Sequence, residues 1–317
     1  MIDIILVTGF LGCGKTTLLK EIAADITFNK SYYLINEFSK NDVDGKILEI
    51  NKSFIIQGGS IFCTCKMTSF INTLQMIKTE FKKSNQADGK LIIEASGISN
   101  PLIFQKLLGE SSLNDCYTIK HIVTIVDPKS VGILINTFSN IVNQITAADT
   151  VIINKVDLAD ENELKSVERI IKSINIKCEM HRTSYCKLNP DIFNKVHNSK
   201  YFNNEIPTAP PHNLTSFSLQ ISKGNILEDF KAFTDRWSTK VFRIKGFYEC
   251  EGGEIEYVDY STAGWITENV KKKIERPSIE FIVINDSKET IIDELKANLG
   301  GVKILNEGKP AAVNYIL

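Results

Sequence analysis

Histidine is scarce in this chain. Four occur in 317 residues, and His121, His181, His197 and His212 stand isolated, without the spacing that sets two imidazoles on one ion. They read as structural or solvated. Charge of one sign is missing too: 37 Lys and Arg stand against 38 Asp and Glu, a net charge of −1, which points away from nucleic acid as a partner. No apolar run approaches the ~20 residues of a membrane span. Met1 leads straight into an apolar strand, without the flanks of a signal peptide. The seven cysteines are mostly scattered, which excludes a disulfide framework. These absences lead to the expectation of a cytoplasmic protein with no membrane partner. The length leaves room for two domains and a substantial core.

What is present begins at once. Ile2, Ile4, Ile5, Leu6 and Val7 form a nearly continuous apolar run, the pattern of a strand buried on both faces. Gly9-Phe10-Leu11-Gly12-Cys13-Gly14-Lys15-Thr16 then fits G-x-x-x-x-G-K-[ST] at every fixed position. Thr17 to Ala24, apolar at Leu18, Leu19, Ile22 and Ala23, opens as a helix. Strand, glycine loop and helix start form the context the motif requires. Gly9, Gly12 and Gly14 let the backbone curl so that several N–H groups, including those of Cys13 and Thr17, face one anion. The helix N-terminus adds its partial positive charge. Lys15 reaches the β- and γ-phosphates and the Thr16 hydroxyl ligates Mg²⁺. The Cys13 thiol has no role in this scheme.

Further along, Ser31 to Ile35 reads as a strand ending in Asn36-Glu37-Phe38. The polar loop after it holds Asp42 and Asp44, which either meet Mg²⁺ and the attacking water or form a solvated acidic turn. Lys46 to Gln57 reads as a short hairpin leading to Cys63-Thr64-Cys65-Lys66. Two sulfurs one residue apart suit a soft metal such as Zn²⁺, Cu(I) or Co, yet two thiolates do not complete a tetrahedron, and a chance pair of buried cysteines is the alternative. Met67 to Lys83 carries a helical stripe at Phe70, Ile71, Leu74, Ile77 and Phe81. Lys90 to Ala95 is the next buried strand, ending in Glu94-Ala95-Ser96-Gly97. An acidic residue at a strand end followed by Gly has the form of a Mg²⁺-holding carboxylate and a γ-phosphate-sensing amide.

His121 to Val126 is another strand, closed by Asp127-Pro128, where Asp127 is read as the N-cap of a helix rather than as a ligand group. Thr150 to Ile153 leads into Asn154-Lys155-Val156-Asp157. Asn-Lys-x-Asp after a strand reads guanine: the Asp157 carboxylate accepts from the base N1–H and the exocyclic amine, a donor pair adenine lacks. Glu161 to Ile174 is an amphipathic helix, and Thr183-Ser184 offers backbone amides to the base oxygen. The Pro-rich stretch from Asn203 to Asn213 marks a boundary. The expected domains are 1–207 and 208–317, the second a small α+β unit.

With these motifs placed, the chain resembles the CobW family of metal-associated P-loop GTPases. The resemblance rests on GFLGCGKTT, Asn36-Glu37-Phe38, the cysteine loop, Glu94 to Gly97, Asn154 to Asp157, and Arg243-Ile244-Lys245-Gly246-Phe247, which is similar to the Arg-x-Lys-Gly of the family's C-terminal domain. It implies an α/β fold, a doubly wound, mostly parallel P-loop sheet, with a smaller α+β domain behind it. It also implies GTP hydrolysis to GDP and a client metalloprotein or corrinoid protein. Lys15, Glu94 and Glu37 are then catalytic, Thr16 and Glu94 hold Mg²⁺, and Cys63, Cys65 and Glu37 are candidate ligands for Zn²⁺ or Co²⁺. The family usually carries Cys-x-Cys-Cys; here Lys66 replaces the third cysteine, and no His-rich metal trap occurs. Turnover is expected to be slow, because no arginine is placed to act as a finger in cis. Two competing readings are a P-loop kinase of a small molecule and a nucleotide-gated assembly module that hardly hydrolyses.

Overall fold

The computed structural model describes residues 1–37, 53–57, 67–84, 89–110, 113–135, 138–195, 214–221, 226–261, 264–270, 274, 276–299 and 301–307. The chain divides into two compact units, one built on residues 1–210 and the other on 211–312. No helix among the described residues is long and apolar enough to cross a membrane.

In the first unit, seven strands form one parallel sheet: β1 (Ile2–Gly9), β2 (Tyr32–Glu37), β3 (Ser53–Gln57), β4 (Gly89–Glu94), β5 (Tyr117–Val126), β6 (Thr150–Ile153) and β7 (Glu179–Arg182). Their order is β3-β2-β4-β1-β5-β6-β7. The apolar runs are unbroken because both faces are covered. On one face Ile4, Leu6, Leu34, Leu91 and Ile93 meet Phe70, Leu74, Ile77 and Phe81 of α2 (Met67–Lys83) and Phe104 and Leu108 of α3 (Pro101–Glu110). On the other, Ile5, Val7, Ile35, Ile92 and Val123 meet Leu18, Leu19 and Ile22 of α1 (Lys15–Ala24). Each fully buried Leu or Ile contributes about 1.5–3 kcal/mol, so the sheet is a rigid base for its loops.

Three further helices follow β5 and β6: α4 (Pro128–Leu134), α5 (Ser139–Ala147) and α6 (Glu161–Ile174). Local chemistry fixes where they start. Asp127 Oδ1 accepts from the backbone N–H of Lys129 at 3.0 Å and of Ser130 at 3.3 Å, and Pro128 takes the first helical position. Asp160 and Glu163 make a reciprocal capping box at α6, whose buried stripe is Leu164, Val167 and Ile171. Sequence reasoning does not find α5, because its inward face mixes Ile141 and Ile145 with buried Asn140, Asn143 and Gln144.

β3 corrects the expected hairpin in part. It pairs parallel with β2, Ile35 opposite Ile55 and Asn36 opposite Ile56, as the edge strand of the main sheet. The first arm of that hairpin lies outside the described residues.

The second unit is a six-stranded antiparallel sheet in the order β11-β10-β9-β12-β8-β13. Its strands are β8 (Leu214–Gln220), β9 (Val241–Glu249), β10 (Ile255–Ser261), β11 (Gly264–Val270), β12 (Ile279–Ile284) and β13 (Lys303–Glu307). Helices α7 (Leu227–Trp237) and α8 (Lys288–Asn298) supply Phe230, Phe233, Ile291, Ile292 and Leu295 to a core with Phe217 and Phe281, whose rings stack 5.0 Å apart. The strands missed from sequence, β11 and β13, are both sheet edges, and β11 is largely exposed, so no buried stripe announces it. The Arg-x-Lys-Gly string has a structural account on β9. Arg243 Nη2 donates to Asp259 Oδ2 on β10 at 2.8 Å, and a Cβ at Gly246 would stand 2.2 Å from the Ser278 carbonyl oxygen.

Candidate functional site

All the parallel strands of the first unit point the same way, so their C-terminal ends gather at one edge. β1 sits where the order reverses, with β4 and β2 on one side and β5 and β6 on the other. Ligands of such sheets bind at that edge and at that point. The glycine loop follows β1 there.

The loop is shaped by close approach. Gly9, Gly12 and Gly14 have φ of 137°, 76° and 115°, a region that side chains disfavour. A Cβ at Gly9 would lie 2.3 Å from the Ile125 carbonyl oxygen, and one at Gly14 would lie 2.3 Å from Asn154 Nδ2. No other residue fits at either position. Gly14 is the N-cap of α1, so the helix dipole is directed into the loop. Lys15 folds along that loop, its ammonium donating to the carbonyls of Gly9 at 3.0 Å and Phe10 at 3.1 Å. Cys13 is buried and packs into the sheet core.

One strand away, Val7 pairs with Glu94, and the Ala95 amide donates to the Val7 carbonyl at 2.9 Å. That register brings the end of β4 beside the start of α1. Thr16 Oγ1 donates to Glu94 Oε1 at 3.3 Å, and Glu94 is only 4 % exposed. A hydroxyl and a carboxylate oxygen side by side at a helix N-terminus are the hard oxygen donors that fit Mg²⁺. Asn36, at the end of β2, accepts from the Ser96 amide at 3.2 Å and donates to the Ile56 carbonyl at 3.2 Å, tying together the ends of three strands. Gly97 abuts the glycine loop: a Cβ there would come within 2.8 Å of the Leu11 amide nitrogen. Glu37 closes β2.

At the other end of the loop stands the Asn-Lys-x-Asp string. Asn154 is 2 % exposed; its Nδ2 donates to the Cys13 carbonyl at 2.9 Å, and its Oδ1 accepts from the Cys186 amide at 3.0 Å. One side chain thus clips the glycine loop to the loop after β7. Lys155 adopts a left-handed φ of 60°, and its ammonium lies 2.9 Å from Asp127 Oδ2. Asp127 is therefore both the cap of α4 and the counter-charge of Lys155. Asp157 stands exposed in the single turn Val156–Leu158.

Sequence reasoning missed Tyr185 and Cys186. Both have positive φ, 57° and 55°, an uncommon backbone for such residues, found where the Asn-Lys-x-Asp string and the glycine loop meet. Burial pushes the Cys186 thiol well above its usual range, so it stays a neutral donor, 3.5 Å from the Gly14 carbonyl. The adjacent Thr183-Ser184 was the available signal; a left-handed pair behind it leaves no periodic mark.

The structure thus places Gly9, Gly12, Cys13, Gly14, Lys15, Thr16, Thr17, Glu94, Gly97, Asn154, Lys155 and Asp157 along one sheet edge. Cys63, Cys65, Asp42 and Asp44 lie outside the described residues. Among the described residues no three His, Cys, Asp or Glu side chains converge on a point that would hold a metal ion. His121 Nε2 pairs with Thr150 Oγ1 at 2.9 Å inside the core.

Comparison with known proteins bears on the same residues. The chain is 28% identical over 199 residues to the zinc-regulated GTPase metalloprotein activator 1 of Schizosaccharomyces pombe, covering 59% of this chain and 47% of that protein. It is 26% identical over 212 residues to the zinc chaperone YjiA of Escherichia coli, covering 66% of each. A match to the zinc chaperone CobW of a Sinorhizobium species, 28% identical over 199 residues, covers 53% of this chain and 54% of that protein. The matches thus span about half to two-thirds of the length of these relatives. The crystal structure of Zn(II)-bound YjiA GTPase from E. coli is 19% identical and covers 93% of this chain and 99% of that one, with a TM-score of 0.45. The model of the CobW/HypB/UreG nucleotide-binding domain matches residues 3–182, and the chain belongs to that family.

Proposed function

We propose that this protein is a Mg²⁺-dependent GTPase that hands a transition metal to a client metalloprotein. The observation that carries the reading is the Asn154 clip. A base-reading string tied through one buried amide to both the phosphate loop and the Cys186 loop is an arrangement suited to a guanine nucleotide laid along the sheet edge. In that reading Lys15 leaves the Gly9 and Phe10 carbonyls for the phosphates, and Asp157 takes the two base donors. Asp127 holds the Lys155 stem against the base face. Thr16 and Glu94 would hold Mg²⁺, which supplies charge neutralisation on the transferring phosphoryl group when bound. Glu37 orients water or cargo, and the missing cis arginine keeps turnover slow.

The cargo is assigned to Cys63 and Cys65. Relatives named for zinc favour Zn²⁺ over Co²⁺, and a zinc client over a corrinoid one. The second domain, 208–317, is read as the family's C-terminal domain. Anaerobic equilibrium dialysis with Zn²⁺ tests the coupling. Zinc affinity should differ roughly five- to 150-fold between the GDP form and a non-hydrolysable GTP analogue, as typical couplings do. Cys63→Ala/Cys65→Ala should abolish that difference while still binding GTP. Equal zinc affinity in both nucleotide forms, unchanged in the double variant, contradicts the metal half of the proposal.

A further inference from the structure

Helix α5 presents side-chain amides, not apolar groups, to the turn after β4. Gln144, 1 % exposed, donates through Nε2 to the carbonyls of Gly97 at 3.2 Å and Ser99 at 3.1 Å. Asn140, 2 % exposed, donates through Nδ2 to the carbonyl between them, that of Ile98. Three consecutive carbonyls are thus held by two buried residues of one helix. The helix is itself pinned to the sheet: Thr124 Oγ1 on β5 donates to the Gln144 backbone carbonyl at 2.7 Å and pairs with Thr8 Oγ1 on β1 at 2.8 Å. Polar contacts therefore run from β1 through β5 and α5 to the turn.

The direction of those contacts matters. Across a trans peptide a carbonyl and the next N–H point opposite ways, so holding the Gly97 carbonyl toward α5 turns the Ile98 amide away from it. On its other side Gly97 meets the glycine loop at Leu11, so closely that a methyl group in place of its hydrogen would clash with the Leu11 backbone. The turn lies between a fixed clamp behind and the phosphate loop in front. Ser96 adds three restraints of its own: its amide donates to Asn36, its carbonyl accepts from the Ser99 amide at 2.9 Å, and its hydroxyl pairs with that of Ser99 at 2.9 Å.

We propose that Gln144 and Asn140 are positioning residues that preset the Gly97 turn for the γ-phosphate. They touch neither phosphate nor metal. Their effect is to keep the turn's amides in place before the nucleotide arrives, so that discrimination between GTP and GDP does not require ordering the turn on each cycle. The inference rests on the GTPase reading above and deepens it.

The test compares wild type with Gln144→Glu, which keeps the shape but replaces a donor by an acceptor facing two carbonyls, and with the milder Asn140→Ser. Titration with GDP and with a non-hydrolysable GTP analogue should leave GDP affinity within about twofold of wild type in both variants. The analogue-to-GDP affinity ratio should fall about tenfold in Gln144→Glu, the scale of losing two buried hydrogen bonds. A merely structural helix would lower both affinities together. An unchanged ratio in a variant that binds both nucleotides overturns the clamp. If wild type binds neither nucleotide, the GTPase reading fails instead. Hydrogen exchange on GDP-bound wild type serves where the variants do not fold. The amides of Ile98 and Asn100, which share peptide units with the two carbonyls that Gln144 holds, should exchange at least about tenfold more slowly than in an unstructured peptide. Exchange at the peptide rate overturns the proposal.

Discussion

Replacing Lys15 with Ala should remove GTP binding and hydrolysis together. The ammonium is the one cation of the glycine loop, and it already lies on that loop's carbonyls rather than out in solvent. Losing its charge-assisted bonds to two phosphates should weaken GTP roughly a hundredfold or more. Catalysis should fall further, because positive charge on the transferring phosphoryl group is most needed in the transition state. The fold should survive, since the sheet core does not depend on that ammonium and the two carbonyls it leaves can be hydrated. Single-turnover hydrolysis and thermal unfolding of the same sample check both halves. Normal turnover in Lys15→Ala would remove the glycine loop as the active site.

Asp157→Asn should change which base is accepted. An amide in place of the carboxylate keeps one acceptor, now uncharged, for the base N1–H and turns the other into a donor, which opposes the exocyclic amine of guanine and pairs with the C2 oxygen of xanthine. GTP affinity should fall roughly a hundredfold or more, with xanthosine triphosphate binding in its place. Asp157 is exposed in its short turn, so the substitution leaves packing untouched. Titration with both triphosphates reads the switch directly. Product analysis in the presence of small-molecule acceptors separates hydrolysis from the competing kinase reading, because a kinase would move phosphate to the acceptor.

Much of this site was legible because it is built from short strings with fixed offsets. Gly9 to Thr16, Glu94 to Gly97 and Asn154 to Asp157 each sit directly behind an apolar strand, and parallel strands bring such loops to one edge by geometry alone. The buried stripe of α2 was equally plain, with Phe70, Leu74, Ile77 and Phe81 at helical spacing. What escaped has three causes. α5 buries Asn140, Asn143 and Gln144, so hydrophobic periodicity reports only part of its inward face. β11 and β13 are edge strands, paired on one side. The Cys186 loop escaped for a third reason: the left-handed backbone at Tyr185 and Cys186 goes with a bond from the Cys186 amide to Asn154 across the site, 32 residues away in sequence. Lys155 shows the same thing. Its pairing with Asp127 joins two strand ends that no local pattern connects.

We propose that the sheet edge reads a guanine nucleotide. Isothermal titration of the wild-type protein with GTP and with ATP, each with Mg²⁺, tests it most directly. The expected result is GTP binding with at least roughly a hundredfold preference over ATP, the value of the two base bonds to Asp157. Equal affinity for the two nucleotides would contradict it.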